Sequence, residues 1–120
     1  MESPVQIEVT ARCPIRTTLE LIGGKWKLLI IYQLAQQPLR FSALKKLIPN
    51  ISEKMLIQEL KVLIDSQLVE RVNFGEVPPK VEYNLSEIGR FTLPLIAEMQ
   101  KFAQHYTSKI DPHSSTNPYE

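Results

Sequence analysis

Apolar and polar positions separate onto two sides of residues 52 to 67, where their spacing predicts an amphipathic helix. The apolar side consists of Leu56, Leu60, Leu63 and Ile64. The opposite, polar side consists of Lys54, Gln58, Lys61 and Asp65. Ser52 can cap the first turn through its hydroxyl, and the acidic Glu53 suits the positive end of the helix dipole. One side of this helix is therefore expected to pack on a core, while the other is free to contact a partner.

The segments around this helix occur in an informative order. A shorter helical pattern over residues 42 to 47 precedes it, and a proline-broken link over residues 48 to 51 joins the two. We expect Ser42 to cap the short helix. Its inward positions are predicted to be Leu44, Leu47 and Ile48. Two strand-like runs, residues 68 to 73 and 81 to 85, follow with a Gly/Pro-rich tip between them. Helix, turn, longer helix and hairpin in this order predict a winged helix-turn-helix.

Two further helices are predicted before this unit. Pro14 suits the first position of a helix over residues 15 to 22, which makes Cys13 its N-cap residue. The positions expected to be buried in this helix are Ile15, Leu19 and Ile22. A second helix, residues 25 to 36, has more than one apolar face and is predicted to be the central buried helix. Its apolar positions are Trp26, Leu29, Ile30, Tyr32 and Leu34. Residues 39 to 41 are expected to form an edge strand beside the hairpin.

A long C-terminal helix is predicted from Ser86 onward, with Gly89 as an early weak point. Its apolar positions, with Thr92 completing the series, recur at alternating three- and four-residue steps, as in a coiled coil. They are Ile88, Leu95, Met99, Phe102 and Tyr106. Because the earlier helices already supply a core for so small a domain, this stripe is expected to pack against a second subunit. The predicted homodimer interface comprises Ile15, Leu19, Leu95, Met99, Phe102 and Tyr106.

The length of 120 residues fits one domain with extensions. We assign residues 1 to 12 to an N-terminal extension, 13 to 107 to the winged-helix domain with its dimerisation helices, and 108 to 120 to a disordered tail. The start of the chain lacks the pattern of a signal peptide, and the longest apolar run is too short to span a membrane. We therefore expect a cytoplasmic protein that makes no membrane contact.

Positive charge is concentrated in the middle of the chain, although the formal net charge is only +1. Between residues 25 and 54, six lysine and arginine residues stand against one acid, Glu53. This basic segment is compatible with a surface that contacts DNA. The alternative is a solvated surface of mixed charge, which would show much the same pattern. Lys25 and Lys27, on either side of Trp26, are further candidates for contact with the DNA backbone.

The main predicted DNA contacts lie on the polar side and first turn of the helix over residues 52 to 67, around the preceding helix, and in the hairpin. They are Arg40, Lys45, Lys46, Ser52, Lys54, Met55, Gln58, Lys61 and Lys80. Lysine and glutamine can bind base edges in the major groove, and Met55 offers an apolar contact to a thymine methyl group. The cations around the preceding helix would bind phosphates. Such contacts position a protein on DNA but do not distinguish one base sequence from another. The alternative for these side chains is an ordinary solvated surface.

Cys13 is the single cysteine, so no internal disulfide can form. Its predicted place at a helix N-terminus, between Arg12 and Arg16, favours the thiolate, provided that the thiol is partly exposed. Cys13 is therefore a candidate sensor of oxidants or electrophiles, with an inert capping role as the alternative. The sequence contains no recognisable catalytic constellation, metal-ligand spacing or phosphate loop, and we expect no enzymatic activity, no metal and no cofactor.

Several motifs, in order and at the right spacing, make the chain similar to the HxlR-type transcriptional regulators, a MarR-related family of winged-helix proteins. The motifs are Cys13-Pro14, Leu21 to Trp26, Arg40-Phe41, Ile51 to Leu56, Leu68 to Arg71 and Val77 to Tyr83. The resemblance covers residues 13 to about 102. It implies a homodimer with the N- and C-terminal helices at its interface, and a recognition helix and a wing from each subunit on DNA. It also implies that some members sense oxidants or quinones through a cysteine at this position.

These features together predict a mostly helical α+β fold, a winged helix-turn-helix with additional N- and C-terminal dimerisation helices. The predicted function is that of a sequence-specific transcriptional regulator. Its expected partners are double-stranded DNA with a pseudo-palindromic operator, a second copy of the chain, and a small-molecule effector if one controls it. The alternative from another class is a winged-helix module for protein–protein interaction with weak DNA binding. An enzyme with Cys13 as nucleophile ranks last, because no general base accompanies the thiol.

Overall fold

The computed structural model describes residues 6 to 110, and its elements follow the predicted order. The elements of this part of the chain are α1 (Pro14–Ile22), α2 (Lys27–Gln36), α3 (Phe41–Leu47), α4 (Glu53–Asp65), β1 (Val69–Asn73), β2 (Val81–Leu85), α5 (Glu87–Arg90) and α6 (Leu93–Ile110). The two strands pair antiparallel, with Val69 opposite Leu85 and Asn73 opposite Val81. The fold is a winged helix-turn-helix in which α3 and α4 form the helix-turn-helix and the β1–β2 hairpin forms the wing.

The helix-turn-helix is anchored on a core to which the helices α1 to α4 and the hairpin contribute. In α2 the residues Ile30, Ile31 and Leu34 are completely buried, which confirms that α2 is the central helix. Leu29 and Tyr32 of the same helix are exposed, because they lie on the side of α2 that faces away from this core. The predicted edge strand is reduced to a single residue, Leu39, which pairs with Tyr83 of β2 through two backbone hydrogen bonds of 3.0 and 2.8 Å.

Two predicted helix caps are confirmed and one is wrong. The Sγ atom of Cys13 accepts a hydrogen bond of 3.5 Å from the backbone N–H of Arg16, and the Ser52 hydroxyl accepts one of 3.0 Å from that of Met55. Ser42 does not cap α3. This helix begins one residue earlier, with Arg40 in the N-cap position and no hydrogen bond from its side chain. Ser42 therefore lies inside the first turn of α3 as an exposed residue.

Three apolar positions that the periodicity predicts to be buried lie on the surface. In α1, Ile15 and Leu19 are exposed, because only the C-terminal end of the helix, at Ile22, reaches the core. In α3, Leu44 is buried and Ile48 follows it into the core, but Leu47 is exposed. In both helices the spacing identifies the apolar side correctly. Packing within one chain, however, buries only part of that side.

The predicted C-terminal helix is divided into α5 and α6. Ser86 caps α5 by accepting a hydrogen bond of 2.9 Å from the N–H of Gly89, and its hydroxyl donates one of 2.7 Å to the Gln67 carbonyl. A continuous helix would need an N–H at Pro94 to bond the Arg90 carbonyl, and proline has none. The chain therefore leaves the helix after Arg90 and restarts at Leu93, where Pro94 is tolerated in the first turn.

The new helix, α6, has 18 residues, none of them buried. It continues to Ile110, so residues 108 to 110, which the sequence assigns to a disordered tail, are helical. The rest of that predicted tail, residues 111 to 120, and the first five residues of the predicted N-terminal extension lie outside the described residues. Among the described helices, none is long and apolar enough to cross a membrane.

Candidate nucleic-acid interface

Helix α4 presents two chemically different sides. Its buried side consists of Leu56, Leu60 and Leu63, which pack into the core and fix the helix on the domain. Its exposed side includes the polar residues Lys54, Gln58, Lys61 and Asp65, together with the apolar Ile57 and Val62. The predicted division of this helix into an apolar and a polar side is therefore confirmed. Ser52 caps the N-terminal end of α4, and its side chain is exposed.

An ion pair neutralises one of the acids of α4. The Nζ atom of Lys27, in the first turn of α2, lies 2.7 Å from Oε2 of Glu59, and both side chains are only 16% exposed. Lys27 is thus paired within the protein, and its expected contact with the DNA backbone stays a prediction. Lys25 lies with its Nζ atom 4.8 Å from the centre of the Trp26 ring and remains exposed.

The apolar side chain best placed for a partner on α4 is Ile57, which the sequence analysis missed. Met55, predicted for this role, is half-buried and packs against the core, so most of its surface is already used. Ile57 is 54% exposed. A signal was present in the sequence, because Ile57 follows Lys54 by three residues and precedes Lys61 by four. Residues at these spacings are neighbours on a helix surface.

The cations around α3 are exposed. Arg40 occupies the N-cap position, and Lys45 and Lys46 lie in the last turn. All three side chains were predicted to bind phosphates, and their exposure is compatible with that role. Helix α3 therefore carries exposed positive charge at both of its ends.

The wing carries one cation near its tip in a defined position. The N–H of Phe74 donates a hydrogen bond of 2.9 Å to the Lys80 carbonyl, and the Lys80 ammonium lies 4.8 Å from the centre of the Phe74 ring. The Asn73 side chain accepts a hydrogen bond of 2.9 Å from the N–H of Gly75, which has a φ of +68°. Lys80 is therefore oriented by an aromatic partner, while Val77 at the tip is almost completely exposed.

This architecture matches a known class of regulators. The model of the HxlR-like helix-turn-helix family matches residues 21 to 111. The chain belongs to this family. It is 45% identical over 97 residues to YkvN, an uncharacterized HTH-type transcriptional regulator of Bacillus subtilis (strain 168); the match covers 81% of this chain and 82% of YkvN. The resemblance stated from the sequence motifs is confirmed.

Solved structures place this HxlR-like protein in the same class. A protein of Porphyromonas gingivalis W83 described as a MarR-family transcriptional regulator has a TM-score of 0.76 and 44% identity, over 81% of this chain and 95% of the other. The redox regulator HypR in its reduced form has a TM-score of 0.76 and 33% identity, over 83% of this chain and 99% of the other. The protein is thus a helix-turn-helix transcriptional regulator, and the prediction that it is not an enzyme is confirmed by its family.

The single cysteine of this HxlR-like regulator is shielded. Cys13 is 4% exposed, so the partly exposed thiol that the sequence analysis requires for a reactive thiolate is not present in this conformation. The neighbouring Arg12 and Arg16 are exposed. The predicted capping role of Cys13 is confirmed by its hydrogen bond from the N–H of Arg16. Among the described residues, no group of three His, Cys, Asp or Glu side chains could hold a metal ion.

The predicted dimer residues lie on two exposed surfaces, one on α1 and one on α6. On α1 they are Ile15 and Leu19. On α6 they are Leu95, Met99, Phe102 and Tyr106. The rings of Phe102 and Tyr106 are 6.3 Å apart, at the edge of a groove of about 540 Å³ between α2 and α6. The walls of this groove include Leu28, Leu29 and Tyr32 of α2. The apolar surface of α6 is therefore continuous with the exposed side of the central helix.

Proposed function

We propose that this HxlR-like regulator binds a pseudo-palindromic operator as a homodimer, with α4 of each subunit in the major groove. The two-sided structure of α4 carries the proposal. Its leucines hold it on the core, while Lys54, Gln58 and Lys61 project from the domain. Lysine can donate to guanine O6 and N7, and glutamine can pair with adenine. The capped N-terminal end of α4, at Ser52, is the end that enters the groove in helix-turn-helix proteins.

Contacts to the DNA backbone would orient this helix. Arg40, Lys45 and Lys46 are exposed around α3, and Lys80 is positioned in the wing. Contacts from such cations to phosphates provide affinity that falls with salt concentration and set the position of the recognition helix. The ion pair between Lys27 and Glu59 supports the proposal, because it compensates a negative charge on the helix that approaches DNA.

The homodimer is supported by the exposed surface of α6. None of the 18 residues of α6 is fully buried, although Leu93 and Ile96, near its start, pack partly against the core. The apolar stripe from Leu95 to Tyr106 is exposed, and most helices in proteins are stabilised by packing of such a stripe. A second subunit that covers Leu95, Met99, Phe102 and Tyr106, together with Ile15 and Leu19 of α1, would remove this apolar surface from water. A two-fold dimer also provides two recognition helices for half-sites about one helical turn apart.

Control of binding through Cys13 is the second part of the proposal. It is favoured by the similarity to the redox regulator HypR, which has been solved in an oxidized and a reduced form. Because Cys13 is buried at the N-cap of α1, oxidation requires this end of the helix to open. An oxidised sulfur would then disturb α1 beside the proposed dimer surface. A small-molecule effector would find apolar walls in the groove between α2 and α6.

Selection of bound duplexes from a randomised DNA library tests the proposal directly. The full chain should enrich one sequence made of two inverted half-sites, and a duplex that contains only one half-site should bind much more weakly. Enrichment of a single, non-repeated element would contradict the dimeric mode. If no sequence is enriched even at low salt, the protein-interaction alternative replaces DNA recognition.

A further inference from the structure

We propose that Ile57 recognises a thymine methyl group in each half-site, an inference that rests on the DNA-binding function proposed above. Ile57 follows the first turn of α4, close to the end expected to enter the major groove. Its side chain is 54% exposed. An exposed isoleucine at this place is a candidate for direct contact with base edges.

Packing within the chain does not explain this residue. The buried side of α4 is already formed by Leu56, Leu60 and Leu63. The half-buried Met55 adds to the same core, and Ile57 is not among the side chains that pack against it. Replacing Ile57 by a polar residue would therefore leave the core unchanged.

Helix propensity does not explain the residue either. Isoleucine is β-branched, loses side-chain freedom in a helix, and is a poorer helix former than lysine, glutamine or glutamate. At a solvated position of α4 any of those three residues would support the helix better. Single exposed apolar residues are common on proteins, but a contact that uses an apolar side chain accounts for an isoleucine at this place, near the end of α4 expected to enter the groove.

The neighbours of Ile57 identify the chemistry of that contact. Lys54 precedes it by three residues and Lys61 follows it by four, so the three side chains lie close together on the helix surface. The two ammonium groups suit phosphates or guanine, and they bring the apolar side chain toward the floor of the groove. Among the base edges there, the C5-methyl group of thymine is the one that an apolar side chain can contact favourably.

Substitution of uracil for thymine tests this assignment, because deoxyuridine lacks only the methyl group. Each thymine of the selected operator is replaced in turn, in both half-sites, and the affinity of the full chain is measured by fluorescence anisotropy. At one thymine position per half-site we expect the affinity of the wild type to fall about three- to fourfold per half-site, and roughly tenfold for both. This is the effect of removing about one methyl group from an apolar contact.

Two variants show whether Ile57 makes the contact. Ile57→Ala should bind the thymine and uracil operators equally, since the side chain that senses the methyl group is gone. Val62→Ala is the matched control: Val62 is another exposed apolar residue of α4, further from its N-terminal end, and its removal should leave the discrimination intact.

Three results would overturn the inference. Specific binding by the wild type with no effect of uracil at any position would exclude a methyl contact. Discrimination that persists in Ile57→Ala would assign the contact to another residue, and an equal loss in Val62→Ala would show that the effect is not specific to Ile57. A library selection that enriches no sequence would remove the proposed DNA-binding function itself, and the exposed isoleucine would then belong to a protein interface.

Discussion

The ammonium group of Lys27 lies 2.7 Å from the carboxylate of Glu59, and this contact links the first turn of α2 to the middle of α4. Among the described residues, the Glu59 Oε2 atom is buried and has no polar partner besides this ammonium. The pair therefore does two things at once. It compensates a charge that would repel DNA, and it holds α4 against the central helix at a point between its buried leucines.

Breaking this pair from one side should destabilise the protein. Lys27→Met leaves the Glu59 carboxylate shielded but unpaired, and we expect the free energy of unfolding to fall by about 1 to 3 kcal/mol. Urea denaturation measures the change. Lys101→Met is the control, because the pair of Lys101 with Glu98 is exposed on α6 and should contribute almost nothing. Equal stabilities of the two variants would show that the buried pair has no structural role.

The double variant Lys27→Met/Glu59→Gln should recover part of the lost stability, because neither charge is then left alone.

The DNA affinity of the same variants tests the electrostatic effect of the ion pair. Lys27→Met is expected to weaken binding, since it leaves the negative charge of Glu59 on α4 uncompensated. Tighter binding by Lys27→Met than by the wild type would contradict this electrostatic account.

The cap of α4 offers a second stability test. Ser52→Ala removes the acceptor for the Met55 N–H and should lower the free energy of unfolding by about 1 kcal/mol. Ser42→Ala is the matched control, because Ser42 makes no capping bond and lies inside α3. Both variants are compared by urea denaturation. A larger loss in Ser42→Ala than in Ser52→Ala would mean that the caps are assigned to the wrong serine.

Assembly should depend on the exposed rings of α6. Phe102→Glu places a charge within the proposed interface, and sedimentation equilibrium should show a monomer where the wild type is a dimer at micromolar concentration. Val77→Glu adds the same charge at the tip of the wing, far along the chain from α6, and should leave the dimer intact. Circular dichroism checks that both variants are folded. A Phe102→Glu protein that remains dimeric would exclude this surface as the interface.

Cys13 should react slowly in the folded protein. Because its thiol is 4% exposed, labelling with a thiol-directed reagent is expected to be slow in buffer and fast in urea. Cys13→Ser keeps a capping oxygen and should leave the DNA affinity of the reduced protein nearly unchanged. If Cys13 controls binding, oxidant should weaken the wild type alone. The same oxidant response in both proteins would exclude a thiol switch, since the chain has one cysteine.

Most of the fold could be predicted from residue spacing. The alternation of apolar and polar positions from 52 to 67 defines both sides of α4 because a helix places every third or fourth residue on one side. Pro14 and Ser52 mark helix starts through local hydrogen bonding, which is encoded within a few residues. The order of helices and strands then leaves few arrangements other than a winged helix.

What the sequence did not reveal depends on contacts between distant segments or between chains. Nothing local indicates that Lys27 pairs with Glu59, because the two residues meet only when α2 packs on α4. Periodicity shows that Ile15 and Leu19 belong to an apolar side, but not whether that side packs on its own core. The break before α6 is the exception: it was missed although its cause is local, since Pro94 lacks the N–H that a continuous helix requires.

The most direct test of the account concerns the exposed side of α4. Fluorescence anisotropy on the selected operator, over a salt series with a scrambled competitor, compares the wild type with Lys54→Ala/Gln58→Ala/Lys61→Ala and with the single variant Lys101→Ala. We predict that the triple variant loses specific binding and that its remaining DNA affinity has a weaker salt dependence, while Lys101→Ala binds like the wild type. Equal, competitor-resistant binding by the triple variant would contradict the claim that this side of α4 recognises DNA.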